Sequence, residues 1–275
     1  MVYRGMDVGT AKPGAAERGE VPHHLIDIAD PWESYSAGAF RADALRVVDE
    51  IHRRGNWPLL VGGTMLYFRV LRRGLAELPA ADVAVRQSID AEASRDGWPA
   101  LHARLALIDP VAAGRIRPAD RQRIQRALEV HRLTGQPIST LQTSASATGA
   151  LPSLGIALRP TDRAALYRAL DARLLAMLGA GLVDEVRCLK ALPLMSADAP
   201  SMRAVGYRQI WDYLAGGTTL DEATAKAQLA TRHLAKRQLT WMRTEGADLT
   251  VDSDDPDGER LIDRFLQVAG VSRRT

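Results

Sequence analysis

A chain of 275 residues with 46% hydrophobic content can bury a core and is long enough for one large domain carrying a smaller one. No stretch approaches the roughly 20 uncharged apolar residues of a membrane span, and Arg4, Asp7 and Lys12 stand where a secretory signal would be apolar, so a cytoplasmic protein with no membrane contact is expected. The single cysteine, Cys188, excludes an internal disulfide framework and any zinc site of several thiolates; no metal-ligating side chains are assigned. The net charge is a modest +3, yet the basic residues are 32 Arg and 4 Lys. That bias suits phosphate and base contacts in RNA, and is also what a GC-rich genome places on any surface.

In chain order, residues 24–28 read as a short strand. Ser36 then caps a helix that puts Phe40, Ala44, Val47, Val48 and Ile51 on one face, and Gly55 ends it. The apolar run 57–61 reads as a buried strand, followed by the turn Gly62-Gly63-Thr64 and a helical pattern through Leu71. Helix, strand, glycine turn and new helix make the rhythm of a parallel α/β sheet, and the turn lets the backbone approach an anionic ligand. From 82 to 142 the strand signals vanish, and short helices are predicted over 82–94, 98–107, 110–116 and 120–133. A loop over 143–152 leads to a strand at 154–158. Asp162 caps the next helix, which runs to Leu178; further helices begin at Leu182 and span 202–214 and 219–243. The tail, with an acidic loop at 252–257 and a helix over 258–268, reads as packing and solubility. The sequence has no internal repeat.

Four segments stand apart from this amphipathic background: 2–13 (VYRGMDVGTAKP), 60–67 (LVGGTMLY), 203–209 (RAVGYRQ) and 236–243 (KRQLTWMR). In the last, Lys236, Thr240 and Arg243 lie along one side of a helix, with Arg237 and Trp241 one turn apart beside them. Such a stripe suits an RNA backbone and an unstacked base. Each segment also has a plainer reading: a solvated helix face, a tight turn, or a core tryptophan.

Together and in this order, the segments resemble the tRNA dimethylallyltransferase family. The likeness runs from Tyr3-Arg4-Gly5-Met6-Asp7 and Gly9-Thr10-Ala11-Lys12-Pro13 through 24–30, 61–67, 122–129 and 205–211 to 236–243. It implies transfer of a dimethylallyl group from dimethylallyl diphosphate, with Mg²⁺, to N6 of the adenosine 3′ of the anticodon in tRNAs that read codons beginning with U. The implied fold is α/β, a P-loop-type parallel sheet. Residues 1–77 and 146–275 would form the core, and 78–145 a helical insertion that contacts the tRNA anticodon arm. Arg173 and Thr64 match the family's arginine and threonine toward the leaving diphosphate. By the same resemblance the tRNA-contacting residues are Arg86; Gln122, Arg123, Ile124, Gln125 and Arg126; Arg203, Ala204, Val205, Gly206, Tyr207 and Arg208; and Lys236, Arg237, Gln238, Leu239, Thr240, Trp241, Met242 and Arg243. A monomer is expected.

By this resemblance, family members begin with a strand, then a glycine-rich loop ending in Gly-Lys-Ser or Gly-Lys-Thr, and later an Asp-Ser pair just before the Val-Tyr-Arg-Gly segment, whose aspartate would be the base. None of these stands ahead of Val2-Tyr3-Arg4-Gly5 here, and no G-x-x-x-x-G-K-[ST] is found anywhere in the chain. The expected fold is therefore short of its first strand and phosphate loop, through a misplaced start or a true truncation. As written, the chain is expected to transfer little or no prenyl group. The alternatives are a non-catalytic tRNA-binding remnant, with steeply salt-dependent binding, and an adenylate isopentenyltransferase. The insertion and the 236–243 stripe speak against the second, because a mononucleotide needs neither.

Overall fold

The computed structural model describes residues 1–76, 78–144 and 150–271. Among them the helices are α1 (Ala15–Glu20), α2 (Ala37–Arg53), α3 (Met65–Arg73), α4 (Val83–Asp96), α5 (Trp98–Ile108), α6 (Pro110–Arg115), α7 (Arg121–Thr134), α8 (Ile138–Ser144), α9 (Arg163–Gly179), α10 (Leu182–Lys190), α11 (Tyr207–Leu214), α12 (Leu220–Glu245) and α13 (Gly258–Val268). Two strands, β1 (Ile156–Arg159) and β2 (Leu249–Asp252), pair in parallel from Ile156↔Leu249 to Arg159↔Asp252. The fold is thus a mostly helical α/β arrangement with a small parallel sheet. The chain divides into two compact units, Met1–Phe68 with Ser153–Thr275, and Arg69–Pro152.

The first unit is built around Met6, Leu182, Val186, Met202, Tyr207 and Ile210, all of them buried. Its helices start where short polar side chains satisfy free N–H groups: Ser36 accepts from Ala39, Asp162 from Ala164, and Thr219 from Glu222 in a capping box. In the second unit, Asp82, Asp109 and Asp120 cap α4, α6 and α7 in the same way. These helices close over Ile89, Leu101, Leu105, Ile124 and Val130, none of which is exposed.

Several strand and helix expectations are corrected. Residues 24–28 form no strand, because Leu25 and Asp27 sit at φ 59° and 55°, outside the extended region. The sheet-like contact there is a single parallel bridge, Tyr3↔Ala29. The run 57–61 joins no ladder among the described residues, and Trp57, Leu59 and Val61 are 60%, 84% and 85% exposed. An apolar run becomes a strand only when a neighbour takes its backbone groups, and no described residue does so. The strand expected at 154–158 is β1, shifted by two residues at its start. The helix expected over 202–214 is broken by Gly206 at φ 93°, leaving a 3-10 turn at Pro200–Arg203 before α11. The tail, which read as packing and solubility, supplies β2. Of the loop expected at 143–152, α8 takes the first two residues, and 145–149 lie outside the described residues.

Candidate active site

The N-terminal motif is tied to the core by one carboxylate. Glu185, on α10, accepts from the backbone N–H of Asp7 and Val8 through Oε2 at 2.8 and 2.7 Å, and from Gly9 through Oε1 at 3.2 Å. The hydroxyl of Tyr207, at the start of α11, donates to the same Oε1 at 2.5 Å. Burial first, and then the Glu185 carboxylate, push the Tyr207 phenol far above its usual range, so it stays a donor. The motifs around residues 2–13 and 203–209 are thereby one assembly. Gly9 is required in it: a Cβ there would lie 2.6 Å from Leu182 Cδ1 and 2.7 Å from Tyr207 Cε2.

Beside it, the Lys12 ammonium is enclosed, its side chain 2% exposed. It donates to the Tyr3 carbonyl at 2.9 Å and to Asp7 and Asp27, each at 2.5 Å. The hydrogen bond from Lys12 holds the Asp27 carboxyl below its ordinary range. Ala11, Leu25 and Asp27, all with positive φ, crowd around this cage. Conformations of this kind persist only where neighbouring contacts over-determine them, and three acceptors on one buried cation do that. Asp7 and Asp27 are consequently engaged with Lys12.

The Gly62-Gly63-Thr64 turn is held by α12. Gln238 donates its amide to the Gly63 carbonyl at 3.1 Å, so the motifs around 60–67 and 236–243 also form a pair. The Thr64 hydroxyl is exposed and makes no hydrogen bond to a described residue; the Thr64 carbonyl accepts from Tyr67 N–H at 2.9 Å. Behind the turn, Tyr67 stacks on Phe40 with ring centroids 4.0 Å apart, and Tyr35 meets it edge-on at 6.4 Å. Burial raises the phenols of Tyr67 and Tyr3. Arg173 projects from α9 into solvent with no hydrogen bond or ion pair to a described residue. Its helix is fixed by buried Leu174 and by Asp171, which pairs with Arg232 of α12. Thr64 and Arg173 both have free polar groups to offer a ligand.

The other sequence-predicted residues differ in exposure and in partners. Arg123, Arg203, Arg208, Lys236, Arg237, Thr240 and Arg243 are exposed; Arg123 also pairs with Asp120 at 3.1 Å. Ala204, Val205, Trp241 and Met242 are half-buried, and Gln122 is exposed. Ile124, Gly206, Tyr207 and Leu239 are buried and give the motifs their packing. Gln125 donates to Asp90 at 2.7 Å. Arg86 and Arg126 converge on Glu129, whose side chain is fully buried: Arg86 binds it in two-pronged fashion at 2.9 and 3.1 Å, and Arg126 at 2.8 Å. The Asp82 N–H adds a fourth bond at 2.8 Å. Burial drives the Glu129 carboxyl upward, but these hydrogen bonds together outweigh it and leave it below its ordinary value.

Glu185, Lys12 as an enclosed cation, and Glu129 were not legible as organising residues. Glu185 lies in the first turn of its helix, where any acid suits the dipole. The available signal was a charged residue at an otherwise apolar helical position, visible for Glu129 between Leu128 and Val130.

With that geometry in place, comparison with known proteins is decisive. The sequence pattern of the family described as IPP transferase matches residues 1–245. A tRNA dimethylallyltransferase of Aromatoleum aromaticum is 59% identical over 245 residues, covering 88% of this chain and 76% of that protein. One from Burkholderia thailandensis is 56% identical over 273 residues, covering 98% and 84%. The solved structure of a tRNA isopentenylpyrophosphate transferase from Bacillus halodurans has 38% sequence identity and a TM-score of 0.67, covering 98% of this chain and 84% of its own. This chain therefore belongs to the IPP transferase family.

Proposed function

We infer that this protein is a prenyl transferase that moves the dimethylallyl group of dimethylallyl diphosphate onto tRNA. The acceptor is N6 of the adenosine 3′ of the anticodon, in tRNAs that read codons beginning with U. The observation that carries this reading is coverage: the family match over 1–245 takes in all four motifs together with Arg173.

In the reaction the exocyclic amine attacks the allylic carbon, the carbon–oxygen bond breaks, diphosphate leaves with the electron pair, and N6 gives up one proton to water. The site must neutralise charge growing on that diphosphate. Arg173, exposed and unpaired among the described residues, is the guanidinium for this role, and the Thr64 hydroxyl its neighbour in function. No described carboxylate is assigned as base, since Asp7 and Asp27 are engaged by Lys12. Among the described residues no three His, Cys, Asp or Glu side chains gather at one point. The described side chains therefore offer no ready-made magnesium cage. In this proposal Mg²⁺ arrives on the diphosphate, as is usual for an ion that keeps its waters and binds through substrate phosphates.

The exposed basic residues of 236–243 and 203–208, and Arg123 in the helical segment 78–145, would follow the backbone of the anticodon arm, while splayed loop bases give specificity. No helix among the described residues is long and apolar enough to cross a membrane. The proposed setting is the cytoplasm, where tRNA is met, and the proposed state a monomer. The reading is tested by modifying a mixture of unmodified tRNAs and sequencing the products by mass spectrometry. The gain must fall on the adenosine 3′ of the anticodon in the U-reading tRNAs; modification at another nucleotide, or equally in all tRNAs, overturns the site assignment.

A further inference from the structure

At the carboxyl ends of β1 and β2 lies a cleft of about 330 Å³. The strands are parallel and end together at Arg159↔Asp252, so both point their C-termini at it, where open α/β sheets receive ligands. Three arginines line it: Arg159 from the end of β1, Arg163 from the start of α9, and Arg243 from α12. None of their guanidinium groups has a hydrogen bond or ion pair to a described residue, whereas Arg86, Arg123 and Arg126 are engaged by carboxylates. The Nε of Arg159 is shut off from solvent and has no acceptor. The one carboxylate in the cleft, Asp252, is engaged by the hydroxyl and N–H of Thr161 and the N–H of Asp254. Those bonds, led by the Thr161 hydroxyl, hold it below its usual range, so it stays ionised yet bridges to none of the arginines.

We propose that this cleft is a phosphate subsite in which Arg159 and Arg163, with Arg243, grip one backbone phosphate of the bound tRNA. A guanidinium N–H sealed from water without an acceptor, beside two more unpaired guanidinium groups, leaves an unmet demand for an oxyanion. Leu239 and Arg243 of α12 line the cleft, and Lys236 and Arg237 of the same helix are exposed, so an RNA backbone held along that helix would lie next to it. The proposal rests on the tRNA reading above and adds Arg159 and Arg163, which the family likeness does not single out.

The test uses the 275-residue chain, an unmodified anticodon stem-loop, and inorganic diphosphate as a separate probe. Binding is followed across a salt series for the unaltered chain, for Arg163→Gln, and for Arg159→Gln/Arg163→Gln. The double variant is expected to bind the stem-loop about ten-fold more weakly, with the slope of log K against log salt reduced by about one, the signature of one lost phosphate contact. Inorganic diphosphate binding should be unchanged. Arg163 is exposed, so its single variant keeps the fold and should show part of the loss. Unchanged stem-loop binding and slope in both variants overturn the subsite while leaving the tRNA reading intact. Loss of diphosphate binding with RNA binding preserved assigns the cleft to a free diphosphate instead and overturns the proposal. Absence of stem-loop binding by the unaltered chain defeats the reading and the subsite together.

Discussion

Gln238 donates its side-chain amide to the carbonyl of Gly63 at 3.1 Å, and a Cβ on Gly63 would stand 2.2 Å from that same nitrogen. The glycine therefore lets α12 approach the turn that presents Thr64. Gly63→Ala should push the Gln238 amide aside and break this tie. Because Gln238 is half-exposed and can swing away, stability should change by less than about 1 kcal/mol. Catalytic efficiency should fall by about ten-fold or more as Thr64 loses its fixed position. Paired melting curves and kcat/KM values check this; a large loss of stability with catalysis intact would show the contact to be purely structural.

The Gly9 contact behaves differently. A methyl group there meets buried Leu182 and the ring of buried Tyr207, neither of which can move away. Gly9→Ala should cost about 2 kcal/mol by overpacking. Tyr207→Phe keeps the ring and removes only the bond to Glu185, which retains three backbone donors, so its cost should be nearer 1 kcal/mol. Urea unfolding of the two variants should preserve that order.

Stability should carry an acid-dependent component from Glu129. Its folded pKa lies below its unfolded one, so the ion pairs with Arg86 and Arg126 contribute fully above the ordinary glutamate value and are lost as pH falls through the folded value. Glu129→Gln leaves two arginines without their anion and should cost about 3 kcal/mol at neutral pH. The gap between variant and parent should narrow as pH falls below the ordinary glutamate value. Unfolding measured from pH 7 to pH 3 checks this, and a gap that does not change with pH would contradict it.

Arg173→Ala should leave the melting temperature unchanged, since the side chain is exposed and has no partner among the described residues. In the catalytically competent protein it should lower kcat by about 10²- to 10³-fold through lost stabilisation of the leaving diphosphate. Thr64→Ala should act in the same direction with a smaller loss. A change confined to the KM for tRNA would move Arg173 from the leaving group to the RNA.

The helices were largely legible because their caps are local: Ser36, Asp82, Asp120, Asp162 and Thr219 each announce a start that needs no distant partner. Strands need neighbours. Trp57-Pro58-Leu59-Leu60-Val61 has a strand's composition and no ladder among the described residues, whereas Leu249–Asp252, in a tail that read as packing and solubility, is half of the sheet. For the site, the motifs marked which segments matter, and the structure showed how they are joined, through Glu185 and Gln238. Such long-range ties leave no periodic trace. Arg86 and Arg126 illustrate this: the resemblance marks both, and only the fold shows that both pair with buried Glu129.

The most direct test of the central claim is mass-spectrometric detection of dimethylallyl-adenosine in unmodified tRNA incubated with dimethylallyl diphosphate and Mg²⁺. The account predicts product at the adenosine 3′ of the anticodon, and loss of that product in Arg173→Ala. No product, with tRNA still bound, would contradict it.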